Sequence, residues 1–163
     1  MSTIDFGSLY DRYARDVLHF ALYLTGDRRE ADDIVAETFV RAWVATGEIR
    51  VETVKAYLLS IARNLHIERH RHRARSTELP SELRDPAVSP ERAAGSRDEL
   101  QAVMRALQTM PEVDRAAVLM RARDVSYADI ASALSISQVA ARVKVHRARL
   151  RLAEMGLGRS ERT

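Results

Sequence analysis

The stretch that most limits what this chain can fold into is 126–152, SYADIASALSISQVAARVKVHRARLRL. Ser126, with Asp129 three residues on, is a helix-starting signature, a weaker form of the capping box. Ile130, Ala131 and Leu134 then recur on one helical face. Ser135-Ile136-Ser137 interrupts the pattern, and Ser137 is placed to cap a second helix from Gln138. On that helix Ala141, Val145, Ala148 and Leu152 make one apolar stripe. Its other positions carry Arg142, Lys144, Arg147, Arg149 and Arg151, and no acidic residue lies between Asp129 and Glu154. A solvated helix with no charged partner usually mixes both signs. A short helix, a tight break and a long helix of one sign is the helix-turn-helix plan, whose second helix enters the DNA major groove.

The rest of the composition permits that reading. A chain of 163 residues holds one domain or two small ones. There is no cysteine, which excludes disulfides and thiolate metal sites. The apolar runs are far shorter than a membrane span and the first residues lack a signal-peptide pattern, so a soluble, cytoplasmic protein without membrane insertion is expected. Net charge is only +3, but the basic residues are almost all arginine, Lys55 and Lys144 being the exceptions. Arginine suits bidentate contacts to phosphate and guanine.

Along the chain, Phe6, Tyr10, Tyr13, Val17, Phe20 and Leu24 trace a helical apolar face, with Asp5 as its cap and Gly26 as its stop. Asp27, with Glu30 three residues later, opens a second helix over about 28–46. Ala31, Ile34, Val35, Thr38, Phe39, Ala42 and Trp43 form its apolar stripe. Asp32 and Asp33 suit the positive end of the helix dipole. A loop over 45–53 leads to a third helix from about Thr53 to Arg73, buried through Val54, Tyr57, Leu58, Ile61 and Leu65. Its end, ARNLHIERHRHRAR, sets five arginines and three histidines against Glu68 alone. All aromatics but Tyr127 lie in this first part. Most are core by spacing, yet a basic surface beside aromatics is also how proteins hold unpaired bases.

The histidines do not read as a metal site. His66 and His70 are one turn apart, but Ile67 stands where a zinc-protease helix needs glutamate, and the arginines repel a cation. No cofactor is expected. Residues 76–95 carry Pro80, Pro86 and Pro90 among serines and mixed charges, the composition of a linker. A second domain then opens with Ser96 and Glu99 as a capping box. Leu100, Val103, Met104 and Leu107 form an apolar face, and Pro111 starts the next helix. The expected fold is all-α: two small helical domains, 1–75 and 96–155, joined by a flexible linker over 76–95, the second ending in the helix-turn-helix, with 156–163 as a tail.

Taken together these stretches resemble the extracytoplasmic-function (ECF) group of the sigma-70 family of bacterial RNA polymerase sigma factors. READDIVAETFVRAW is similar to the family's polymerase-docking helix, and VKAYLLSIARNLHIERHRHR to its promoter-melting helix, including IARN at 61–64. LQTMPEVDRAAVLM, VSYADIASALSIS and VKVHRARLRL follow its closing pattern. Three such stretches in order, split by a linker, cover nearly the whole chain. The resemblance implies a non-catalytic polymerase subunit that directs the core enzyme to promoters and assists strand opening. Asp32, Asp33, Glu37, Thr38 and Arg41 would meet polymerase. The 45–53 loop with Arg63, Asn64, Arg69, Arg71 and Arg73 would hold the melted −10 element. Gln138, Arg142, Lys144, Arg147 and Arg149 would face the −35 duplex. An anti-sigma factor is the further partner implied.

Two departures stand out. Family members usually place glycine in the turn, where this chain has Ser135; a left-handed backbone there would cost about 1 kcal/mol. The recognition helix carries Val139, Ala140 and Ala141, and Val139 and Val143 are suited to thymine methyls. The alternative is an autonomous helix-turn-helix regulator, which usually dimerises on a palindrome; no heptad seam supports that. An enzyme built on the histidines lacks nearby catalytic carboxylates.

Overall fold

A computed structural model describes residues 5–45, 54–76 and 95–156. Most of the expected 45–53 loop, most of the expected linker and the tail lie outside them. Among the described residues there are seven helices and no strand. No described helix is long and apolar enough to cross a membrane.

Local chemistry sets the helix ends. The α1 helix (Phe6–Thr25) starts where the Asp5 carboxylate accepts from the Ser8 N–H at 3.3 Å. It stops at Gly26, whose φ of 73° is left-handed. The α2 helix (Arg28–Val44) is capped by Asp27, which accepts from the N–H groups of Arg29 and Glu30. The reciprocal half of the expected capping box is missing. The Asp27 N–H donates to Thr25 Oγ1 at 3.0 Å instead, and the Glu30 side chain turns into the protein. The α3 helix (Val54–Arg75) lies against both. Phe20 and Leu24 from α1, Ile34 and Phe39 from α2, and Leu58, Leu59 and Leu65 from α3 are buried together. Each such side chain contributes roughly 1.5–3 kcal/mol of hydrophobic stabilisation.

The second group is α4 (Gly95–Gln108), α5 (Glu112–Ala122), α6 (Tyr127–Leu134) and α7 (Gln138–Glu154). The α4 helix begins one residue before the expected cap, which puts Ser96 inside it. Leu107 is buried, but Leu100 at the outer end of the expected apolar face is exposed. Pro111 occupies the cap of α5, where its missing N–H costs nothing.

The two groups share one hydrophobic core. The α5 helix packs on α1 and α3, α6 on α3, and α4 on α1. Polar contacts stitch the same seam. Arg115, buried on α5, donates to the Leu24 carbonyl at 2.7 Å, and Gln108 donates to the Tyr23 carbonyl at 3.1 Å. Gly26 meets this seam too, since a Cβ there would lie 3.1 Å from Gln108 Nε2.

Candidate nucleic-acid interface

The helix-turn-helix forms as its residues dictate. Ser126 Oγ accepts from the Asp129 N–H at 3.1 Å, starting α6. Ser135, at φ 56° and ψ 47°, ends it in the left-handed region. The Ile136 N–H then returns to the Ala131 carbonyl at 3.0 Å, the long bond of a Schellman ending. Ser137 Oγ accepts from the Ala140 N–H at 3.0 Å and starts α7. Ile130, Ala131, Leu134, Ala141, Val145 and Ala148 are buried, which fixes what α7 turns outward.

Gln138, Val139, Arg142, Val143 and Arg149 are exposed there. Arg142 lies over the Tyr127 ring at 5.1 Å, and Arg121 at 4.6 Å. Lys144 and Arg147 are held differently. Both reach Asp114 of α5, Lys144 Nζ at 3.5 Å and Arg147 Nε at 3.1 Å. Asp114 is buried and did not register in the sequence, because its charge reads like that of any acidic residue in a first helical turn.

The basic end of α3 is not a row of free arginines. Arg63 makes a bidentate pair with Glu112 of α5, Nε to Oε2 at 2.8 Å and Nη2 to Oε1 at 2.6 Å. Asn64 beside it is exposed. Arg69 lies 3.8 Å from Asp33 and 3.7 Å from Glu37. Arg73 donates to Glu30 Oε1 at 2.8 Å. Arg71 lines a cavity of about 490 Å³ between the helix groups, with Glu30, His66, Glu112 and Arg115 among its walls. Burial alone would raise the Glu30 pKa, but contacts with His66 and Arg73 overcome it and hold the carboxyl at about 2. The His66 contact is the looser, 3.5 Å with neither facing atom well hydrogen-bonded. Burial pulls the Arg115 guanidinium below its ordinary value. Among the described residues no three metal-ligating side chains come together.

On α2, Asp32, Asp33 and Arg41 are exposed and Glu37 is half-buried. Arg41 joins Glu37 and Glu68, each at 3.3 Å, and Arg28 joins Asp32 at 3.3 Å. Two expectations need correction. Thr38 is 0% exposed, so it packs inward and does not reach the outer face. Trp43, placed by spacing on the buried stripe, is 63% exposed because α2 runs past the core at its end. Phe6 meets it edge-on at 4.9 Å, and Tyr10, Val40 and Val44 are exposed nearby in sequence or ring contact.

Known proteins match this arrangement in both halves. The family described as sigma-70 region 2 matches residues 9–76, and sigma-70 region 4 matches residues 100–152. The ECF RNA polymerase sigma factor SigL of Mycobacterium tuberculosis is 32% identical over 93% of this chain and 91% of its own. The chain belongs to the ECF sigma factors of the sigma-70 family. SigM of Bacillus subtilis, also an ECF RNA polymerase sigma factor, is 28% identical over 92% of this chain and 93% of its own. The sigma factor RpoE of Bartonella quintana, solved in complex with the anti-sigma factor NepR, superposes with a TM-score of 0.76 at 28% identity, covering 95% of this chain and 99% of that one. CnrH, solved with the cytosolic domain of CnrY, shares the fold with a TM-score of 0.69 at 24% identity, over 92% of this chain and 86% of that one. In this sigma factor, region 2 carries the exposed face of α2 and the arginines of α3. Region 4 carries the helix-turn-helix of α6 and α7.

Proposed function

We propose that this sigma factor divides promoter recognition between its helix groups. The first, within 1–75, binds core RNA polymerase through Asp32, Asp33, Glu37 and Arg41 of α2. It takes the melted −10 strand on Arg63, Asn64, Arg69, Arg71 and Arg73. The second, within 96–155, places α7 in the −35 duplex. The observation that carries this reading is the outward face of α7. Gln138, Arg142 and Arg149 stand exposed beside Val139 and Val143, donors and methyl-contacting groups on one groove-sized surface. The 76–95 segment joins the two, and its twenty residues reach roughly 66–70 Å when extended. That is about two turns of duplex at ~34–36 Å each.

The protein acts by binding and not by catalysis, in the cytoplasm. Bases leaving the stack gain contacts on α3 that offset part of the cost of unpairing. An anti-sigma protein is the regulatory partner, a reading supported by the complex in which the RpoE relative was solved. Run-off transcription with purified bacterial core polymerase over a genomic promoter pool tests the whole assignment. Sequence-dependent transcripts that need this protein are expected. Tight duplex binding with neither transcripts nor co-elution with core would refute it. Asn64→Ala is expected to impair open-complex formation more than closed-complex binding; equal losses would remove Asn64 from the melting step.

A further inference from the structure

Asp114 stands at the third position of α5, and its carboxylate is turned to α7. Only 4% of the residue is exposed. The helix dipole explains an acidic residue in a first turn, but it asks for neither burial nor a partner on another helix. A buried carboxylate is kept only with charged or hydrogen-bonding partners. Here the partners are two cations of the helix assigned to the −35 duplex. Arg147 Nε donates to Oδ2 at 3.1 Å, and its Nη2 makes a looser contact with Oδ1 at 3.5 Å. Lys144 Nζ lies 3.5 Å from Oδ1.

These contacts use one edge of the Arg147 guanidinium, that of Nε and one Nη2 hydrogen. The other edge, Nη1 with the second Nη2 hydrogen, takes no acceptor among the described residues. The Arg147 side chain is 57% exposed. Arg147 also follows Val139 and Val143 at four-residue steps, so the three share one face of α7. Both valines are exposed. The open edge of the fork therefore belongs to the outward surface of the recognition helix. An arginine held on one edge is still bidentate on the other, the geometry that reads guanine O6 and N7 or grips a phosphate. Lys144 completes the arrangement. One carboxylate against two cations leaves the cluster positive, so the pairing does not cancel the attraction of this face for DNA.

We propose that Asp114 is a positioning residue for −35 recognition: from α5 it sets the Arg147 fork in its reading orientation before DNA arrives. Binding then does not have to order a long, mobile side chain. This rests on reading Arg147 as a −35 contact. Ordinary electrostatics gives the opposite sign, since removing a negative charge beside a DNA-binding surface strengthens binding to any duplex. Removing the Asp114 carboxylate weakens binding to the preferred sequence and to that sequence alone.

Holoenzyme reconstituted from bacterial core polymerase and the full-length chain is first used to select from a randomised duplex pool. The enriched duplex and a scrambled duplex of the same composition then serve as fluorescein-labelled probes. Asp114→Asn, which keeps the side-chain shape, should lower affinity for the enriched duplex about three- to tenfold, the size of ordering one long side chain. It should leave the scrambled duplex bound as tightly or more tightly. Asp114→Glu, which keeps the charge but displaces the carboxylate by one methylene, should lose part of the preference. Arg147→Ala should lower the preference as well, and adding Asp114→Asn to it should cost the enriched duplex nothing more. Equal losses on both duplexes overturn the positioning role. So does an unchanged preference in Asp114→Asn and Asp114→Glu while Arg147→Ala still loses it, a result that leaves Arg147 as a DNA contact. Full preference in Arg147→Ala, or no enriched sequence with the unaltered chain, overturns the −35 reading of Arg147 and the positioning with it.

Discussion

Arg73, near the end of α3, and Glu30, in the first turn of α2, close a 2.8 Å bridge whose carboxylate side is almost fully buried and whose guanidinium side is open to solvent. The bridge ties the basic end of α3 to α2, the helix proposed to face polymerase. A change at either residue therefore acts on both surfaces.

Glu30 gives the fold a dependence on acid. Its carboxyl titrates at about 2 in the folded protein against an ordinary 4.5. Because the folded value lies below the unfolded one, the stabilisation is complete above about pH 4.5 and is lost as pH falls toward about 2. The drop corresponds to about 3 kcal/mol at ~1.36 kcal/mol per pH unit. Chemical denaturation of Glu30→Gln should show a loss of that order at neutral pH and a shallower decline into acid. Parallel pH curves for the two proteins would contradict the assignment.

Ser135 holds a left-handed backbone without being glycine. Ser135→Gly should stabilise the protein by about 1 kcal/mol, a rise in Tm of roughly 2–4 °C for a chain of this size. Scanning calorimetry decides it. A lower Tm would mean that the serine side chain contributes more than the backbone strain costs.

Tyr127 positions Arg142. Replacing the ring with leucine removes a cation–π contact of roughly 0.5–1 kcal/mol while keeping an apolar body on α6. Affinity of the polymerase holoenzyme for a −35 duplex should fall about two- to fivefold, with the circular dichroism spectrum unchanged. Unaltered affinity would show that Arg142 finds its place without the ring.

Trp43 is the largest exposed apolar side chain among the described residues. Large aromatics at the centre of an interface commonly carry 2 kcal/mol or more of binding. Trp43→Ala should therefore weaken association with core polymerase by about thirtyfold in a titration. The fold should lose only about 1 kcal/mol, the worth of its edge contact with Phe6. A large loss of stability with intact polymerase binding would place Trp43 in the fold and not in the interface.

What could be read from the residues alone was what depends on near neighbours. Asp5, Asp27, Ser126 and Ser137 cap helices because each needs only an N–H two or three positions away, and Gly26 ends α1 for an equally local reason. The buried stripe of α7 followed from spacing. Spacing failed for Trp43, since periodicity gives a face and not how far the neighbouring helix extends along it. For Thr38, spacing gave the buried stripe and the family resemblance the outer face, and packing sided with spacing. The long-range partners of Glu30, Asp114 and Glu112 were not legible because an acidic residue near a helix start already has a sufficient local explanation, for Glu30 the capping box it does not complete. The seam between the halves was beyond local reasoning: Arg123 and Asp16 meet across 107 residues of chain.

Arg115 gives that seam a particular temper. Its guanidinium reaches from α5 to the last turn of α1, where the Leu24 carbonyl has no helical partner left. Here the Leu24 carbonyl takes Arg115 Nη1 and the Met110 carbonyl takes Nη2, while the buried Nε has no partner among the described residues. Were the halves to part, both would meet water, which serves a guanidinium and a carbonyl equally well, and neither would be stranded. An interface made only of interlocked leucines would strongly resist such wetting. A contact of this kind exchanges its protein partner for water at little net cost.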